Sequence, residues 1–159
     1  MPPEGWQTGA AVAYARLLSD SYQHLTGAPI LGHPAPDDDR TLAAALFALP
    51  LPVVSHGTEA DPLFRYGNAA ALALWEMGWD GFTRLPSRLS AEDDPAVQAD
   101  RDRLLAAARE RGWTDGYRGI RISASGRRFM ILDTVLWTVR DVTGRVHGQA
   151  ARIGRIAPV

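Results

Sequence analysis

The sequence contains no cysteine, and all 17 of its basic residues are arginine, lysine being absent as well. The first absence excludes thiol nucleophiles, disulfides, iron–sulfur clusters, cysteine-based zinc sites and the cysteinyl adduct of flavin photochemistry. The second excludes a Walker-A phosphate loop, a Schiff-base aldolase and a pyridoxal enzyme, each of which needs a lysine at the reacting position. An excess of one charge is also lacking: 17 basic against 18 acidic side chains leave a formal charge of −1. Neither a basic block nor an acidic tail is present, so no nucleic-acid partner and no membrane surface are expected. Long apolar runs are missing too. The longest hydrophobic stretch, residues 41–55, is interrupted by Pro50 and Pro52 and is shorter than the ~20 residues of a spanning helix. Residues 1–6 lack the basic segment and apolar core of an export signal, so a cytoplasmic location is expected.

What is there is 159 residues, 46% of them hydrophobic. This is enough for one compact domain that buries roughly 70% of its unfolded surface without a metal or disulfide staple. Tyr14, Leu17, Leu18, Ser21, Tyr22 and Leu25 recur at helical spacing, with Gly27 placed to end the helix. The aspartates at 37–39 favour the start of a second helix over residues 40–48 through the helix dipole. Two short strands follow, at 51–55 and 62–66. Asn68 then caps a helix over 69–77 that Gly78 ends. Ser90 and Asp93 have capping-box spacing before a long helix with a Val97, Leu104, Leu105, Ala108 stripe, closed by Gly112. The remainder alternates as three strands, over 117–123, 129–140 and 145–156, joined by turns at 125–126 and 141–144. Segregated helices and strands predict an α+β fold, not a parallel α/β sheet.

Few of the reactive residues assemble into recognisable chemistry. Ser55 and His56 are neighbours on a strand, so their side chains point to opposite faces and form no dyad. His56, Glu59 and Asp61 match no metal-ligand spacing, and the two carboxylates are better read as ordering a turn. Arg101, Arg103, Arg109 and Arg111 share the long helix with Asp100, Asp102 and Glu110, the pattern of a solvated, salt-laced face. Asp133 stands out. Strand alternation puts it on one face with Phe129, Ile131, Val135, Trp137 and Val139, where a carboxylate needs a partner. The competing reading is a bulge that turns it to solvent. A three-residue loop at 124–126 places Tyr117 across from Asp133 and Arg121 across from Phe129. A two-residue turn instead pairs Arg118 with Asp133.

The words VSHGTEADPLFRYGNAAALALWEM (54–77), LPSRLSAE (85–92) and GYRGIRISASGRRF (116–129) resemble the MEKHLA domain family, and the similarity extends over about residues 17–153. MEKHLA domains are related to PAS domains; they close plant homeodomain–leucine zipper regulators and also stand alone in bacteria. The resemblance implies a PAS-like five-stranded antiparallel sheet with helices on one face. Residues 51–159 would form that domain and residues 1–50 an N-terminal helical extension. PAS relatives bind flavin, haem or small metabolites between sheet and helices, and many dimerise. The family supplies no catalytic residues to carry over, and residues 92–111 hold no histidine for a haem.

The expectation is therefore a sensor or regulatory module that is not an enzyme and binds a small molecule between the long helix and the sheet. The alternative is a ligand-free interaction or dimerisation module. A small enzyme using Asp133 or His56 as general base is a distant third. The site is expected at His56, Tyr117, Arg121, Asp133 and Trp137, with no metal and with the cofactor unassigned. A homodimer is expected because Trp6 and the apolar N-terminal helix need cover, and an unidentified protein partner is expected because no output domain is present.

Overall fold

A computed structural model describes residues 4–159. Residues 1–3, which begin the segment read as lacking an export signal, lie outside the described residues. The first helix, α1 (Gly9–Thr26), starts where Thr8 accepts a hydrogen bond from the Ala11 amide and ends at Gly27, whose φ of 75° closes it. Asp38 caps α2 (Asp39–Ala48) through the Thr41 amide. The strands β1 (Val53–His56) and β2 (Phe64–Gly67) lead to α3 (Ala69–Trp75) and the single turn α4 (Trp79–Phe82). The long helix α5 (Pro95–Arg111) precedes β3 (Trp113–Ile122), β4 (Arg128–Arg140), β5 (Val146–Arg152) and β6 (Arg155–Pro158).

Two helix ends differ from expectation. α3 stops at Glu76, not Gly78, because Glu76 adopts a left-handed φ of 60° and its carboxylate is held by the Ser125 hydroxyl at 2.9 Å. α5 is capped by Asp94, whose Oδ1 accepts from the Ala96 and Val97 amides. Ser90, expected as the cap, instead donates to the Ser87 carbonyl.

The sheet runs β2-β1-β5-β4-β3, antiparallel throughout, with β6 pairing the first half of β4. The expected last strand is thus two strands. Its break lies at Ile153, whose amide donates to the Pro52 carbonyl at 2.8 Å, and at Gly154, where a Cβ would come within 2.4 Å of the Asp133 carbonyl oxygen. Opposite this break, β4 changes partner: residues 129–132 pair with β6 and 135–140 with β5. Asp133 sits at that junction with φ 49°, a left-handed residue that shifts the alternation of β4 by one. Phe129, Ile131 and Leu136 therefore belong to one core, while Trp137 and Val139 belong to the other.

Both faces of the sheet are covered. α1 and α2 bury Leu18, Tyr22, Leu42 and Leu46 against Val53, Trp137 and Val139. On the other side Trp75, Phe82 and Ala108 pack with Phe64, Phe129 and Ile153. Trp6 stacks on Phe47, with 4.6 Å between ring centroids and 8° between planes. The cover expected from a second copy is therefore supplied within the chain. Asn68, fully buried, ties these layers together. Its Oδ1 accepts from the Val53 and Ala71 amides, and its Nδ2 faces the carbonyls of Leu46, Leu49 and Leu51.

Candidate functional site

Between α5 and the sheet lies a cavity of about 50 Å³ whose lining includes His56, Tyr117, Arg121 and Ile131. Three of the five expected site residues are thus together. Tyr117 stands across from Thr134, not Asp133, because β3 is irregular on both sides of Tyr117. Arg121 lies across from Phe129, as the three-residue loop predicts. Its Nη2 donates to the Tyr117 hydroxyl at 2.5 Å and its Nη1 to the Ile120 carbonyl at 2.8 Å.

Asp133 and Trp137 are elsewhere. The Asp133 side chain is 67% exposed and pairs with Arg155 at 3.1 Å on the surface. Trp137 is buried under α1, edge-on to Tyr22 with 5.0 Å between centroids, and its Nε1 donates to Ser21 Oγ at 3.0 Å. The correction has one cause. The left-handed residue at 133 turns its own carboxylate outward and moves every later odd-numbered side chain of β4 to the α1 face.

Among the lining residues that the sequence reading missed, Arg101 and Gln149 carry polar groups that bear on the chemistry of the space. Arg101 was assigned to the solvated face of α5, but it is only 8% exposed. It falls at helical spacing between Val97 and the pair Leu104–Leu105, inside the apolar stripe, and that spacing is the signal that would have found it. Its Nη2 donates to Ser87 Oγ at 3.0 Å. Among the described residues the one carboxylate within 4 Å, that of Asp102, is 74% exposed. Burial, and then the Arg121 charge, lower the Arg101 pKa from its usual value, yet a guanidinium stays charged in proteins. Gln149 is 4% exposed and donates through Nε2 to the Leu105 carbonyl at 3.3 Å. No sequence signal marks it.

His56 completes the arrangement. Its Nδ1 lies 3.1 Å from the Gly57 carbonyl; a carbonyl only accepts, so Nδ1 carries the proton and Nε2 is a bare acceptor. Burial lowers the His56 pKa, opposed by the Gly57 bond and reinforced by Arg101 and Arg109, so the ring is neutral near pH 7. Gly148 lets β5 approach this turn: a Cβ there would fall 1.9 Å from the His56 carbonyl oxygen. The expected separation of Ser55 and His56 holds, since the Ser55 hydroxyl bonds Tyr14 at 2.8 Å and the Gln149 carbonyl at 2.8 Å.

The polar chemistry of the cavity is therefore lopsided. His56 Nε2 and Gln149 Oε1 are buried acceptors with no protein partner. Two arginines supply donors and positive charge, and among the described residues no Asp or Glu lines the space. Glu59 and Asp61 serve the turn after β1, accepting from the Leu63 amide and from Arg88 respectively. Among the described residues no three metal-ligating side chains cluster, and no helix is long and apolar enough to cross a membrane.

Comparison with known proteins places this geometry in a family. The sequence matches the family described as MEKHLA domain over residues 12–157. A search of curated proteins found no match. The fold is similar to the PAS domain of a protein from Colwellia psychrerythraea, at 12% identity over 76% of this chain and 95% of that one, with a TM-score of 0.61. It is also similar to a light-oxygen-voltage domain described with a flavin analogue, at 19% identity over 75% of this chain and 84% of that one, TM-score 0.56. An RNA-binding light-oxygen-voltage receptor matches at 18% identity and TM-score 0.59 over 75% of this chain, which spans only 32% of the receptor. At such identities the likeness shows the fold alone, which is of the PAS type.

Proposed function

The chain belongs to the MEKHLA domain family, and we propose that it works as a PAS-like sensory or regulatory module, not an enzyme, binding a small molecule in the cavity between α5 and the sheet. The observation that carries this reading is the buried polar set of the cavity. An unpaired buried acceptor costs about 1–3 kcal/mol, and a buried charge without a close counter-charge costs more. His56, Gln149, Arg101 and Arg121 bring both kinds into one small space. A bound molecule with matching groups offsets those costs. The size sets the class: sites for drug-sized ligands occupy about 300–1,000 Å³, against about 50 Å³ here. The ligand of this reading is thus a small metabolite, neither a flavin nor a haem. In this reading a protein partner receives the signal of the occupied module.

A second reading, an interaction module with no ligand, draws on the same small volume. Native mass spectrometry of the purified chain, joined to a thermal-shift panel of amino acids, organic acids, amines, flavins and haem, separates the two. A bound mass or a class-specific rise in Tm supports the binding module. No bound mass and no rise, with sedimentation showing a dimer, supports the interaction module and overturns the proposal.

A further inference from the structure

We propose that the cavity under α5 recognises a small hydroxycarboxylate of two or three carbons, a deepening that rests on the ligand-binding reading above. Three observations fix the chemistry. First, Arg101 and Arg121 place two guanidinium groups in a lining that holds no carboxylate among the described residues. Planar guanidinium forks suit a carboxylate, which accepts two parallel hydrogen bonds. Second, of the five buried side-chain atoms without a partner among the described residues, the two on lining residues, His56 Nε2 and Gln149 Oε1, are both acceptors, on residues directly paired between β1 and β5. They require a ligand donor, which an alkyl carboxylate does not have. Third, the rest of the lining is apolar, with Leu105, Ile131, Leu136 and Ile153 around the space, so the body joining the two polar groups is hydrocarbon.

Size and charge narrow the class. About 50 Å³ holds roughly three to five water-sized groups, the scale of glycolate or lactate. An ammonium group has protons for both acceptors, where a hydroxyl has a single one to give to one of them or share, but an amino acid is neutral overall. It would leave the two buried arginine charges as they were and add a third cation beside them. A hydroxy acid brings its donor uncharged and offsets one of the two positive charges, so the hydroxyl is favoured.

The test is calorimetric titration of the full chain with sodium glycolate and sodium lactate. Acetate lacks the hydroxyl, 1,2-propanediol lacks the carboxylate, and glycine carries the ammonium. We expect glycolate or lactate to bind at least tenfold more tightly than acetate or glycine, and the diol not to bind. Arg101→Met should weaken hydroxy-acid binding at least tenfold while leaving Tm in the absence of ligand unchanged or higher. Gln149→Leu should bring the glycolate-to-acetate ratio toward one. Acetate binding as well as glycolate, or glycine binding better, overturns the hydroxycarboxylate assignment. If no acid binds but another class in the thermal-shift panel does, this inference fails and the sensory reading stands. If nothing binds, both fail.

Discussion

His56 of β1 stands directly across from Gln149 of β5, and each is a cavity-lining residue carrying one buried acceptor that no protein group satisfies. Each donates to a backbone carbonyl, His56 Nδ1 to that of Gly57 and Gln149 Nε2 to that of Leu105. The hydrogen bonds that fix their orientations are thus the reason the remaining atoms are acceptors. Strand pairing, a local turn and a helix contact together build one half of the proposed site, and the buried arginines build the other.

Acid should weaken the fold through His56. Its folded pKa lies below the ordinary 6.5 because burial disfavours the imidazolium. On acidification the unfolded chain takes up that proton first, so the stability contribution is complete above about pH 6.5 and is lost as pH falls toward the folded value. The urea midpoint of the wild-type chain should therefore drop more between about pH 7.5 and about pH 5.5 than that of His56→Gln. Equal drops would contradict the burial of a neutral ring.

Asn68→Asp should cost about 3 kcal/mol or more, read from urea unfolding. The substitution keeps the oxygen that caps α3 and receives the Val53 amide. It replaces the amide donor with a charged oxygen facing the Leu46, Leu49 and Leu51 carbonyls. A loss below 1 kcal/mol would be inconsistent with that clamp.

Asp133 should respond to backbone chemistry and not to charge. Asp133→Asn removes only an exposed ion pair with Arg155 and keeps a residue type that tolerates left-handed φ, so stability and ligand binding should both change little. Asp133→Val should cost about 1–2 kcal/mol, because a β-branched side chain is strained at φ 49°. Loss of ligand binding in the Asn variant would return Asp133 to the site.

A chain starting at residue 51 should not fold as a soluble monomer. Without α1 and α2 the α1-facing side of the sheet loses its cover from Leu18, Tyr22, Leu42 and Leu46, and Val53, Trp137 and Val139 are exposed. Each core side chain so exposed forfeits about 2 kcal/mol. Static light scattering that shows a stable monomer would mean that the helical extension is dispensable.

Most elements were legible in the sequence because their punctuation is local. Thr8 and Gly27 bracket α1, the aspartates begin α2, Asn68 caps α3 and Gly112 follows α5. The site was legible only in part, and one residue accounts for most of the difference. Alternation along β4 assumes an unbroken strand, and nothing in the identity of Asp133 announces that β5 gives way to β6 opposite it. Once the parity shifts there, Trp137 leaves the cavity face and Leu136 enters it. Arg101 was hidden by its neighbours: Asp100, Asp102 and Arg103 form the charged face of α5, and only its exact place in the 3.6-residue repeat separates it from them. Gln149 became a lining residue through pairing between β1 and β5, which are far apart in the chain.

The central claim, that the space under α5 is a binding site, is tested most directly by a crystal structure of the chain grown with the strongest binder from the thermal-shift panel, at a resolution that shows ordered water. The account predicts density for that molecule in contact with Arg101, Arg121 and the His56–Gln149 pair. Ordered waters alone at those groups, or the compound seated elsewhere on the molecule, would contradict it.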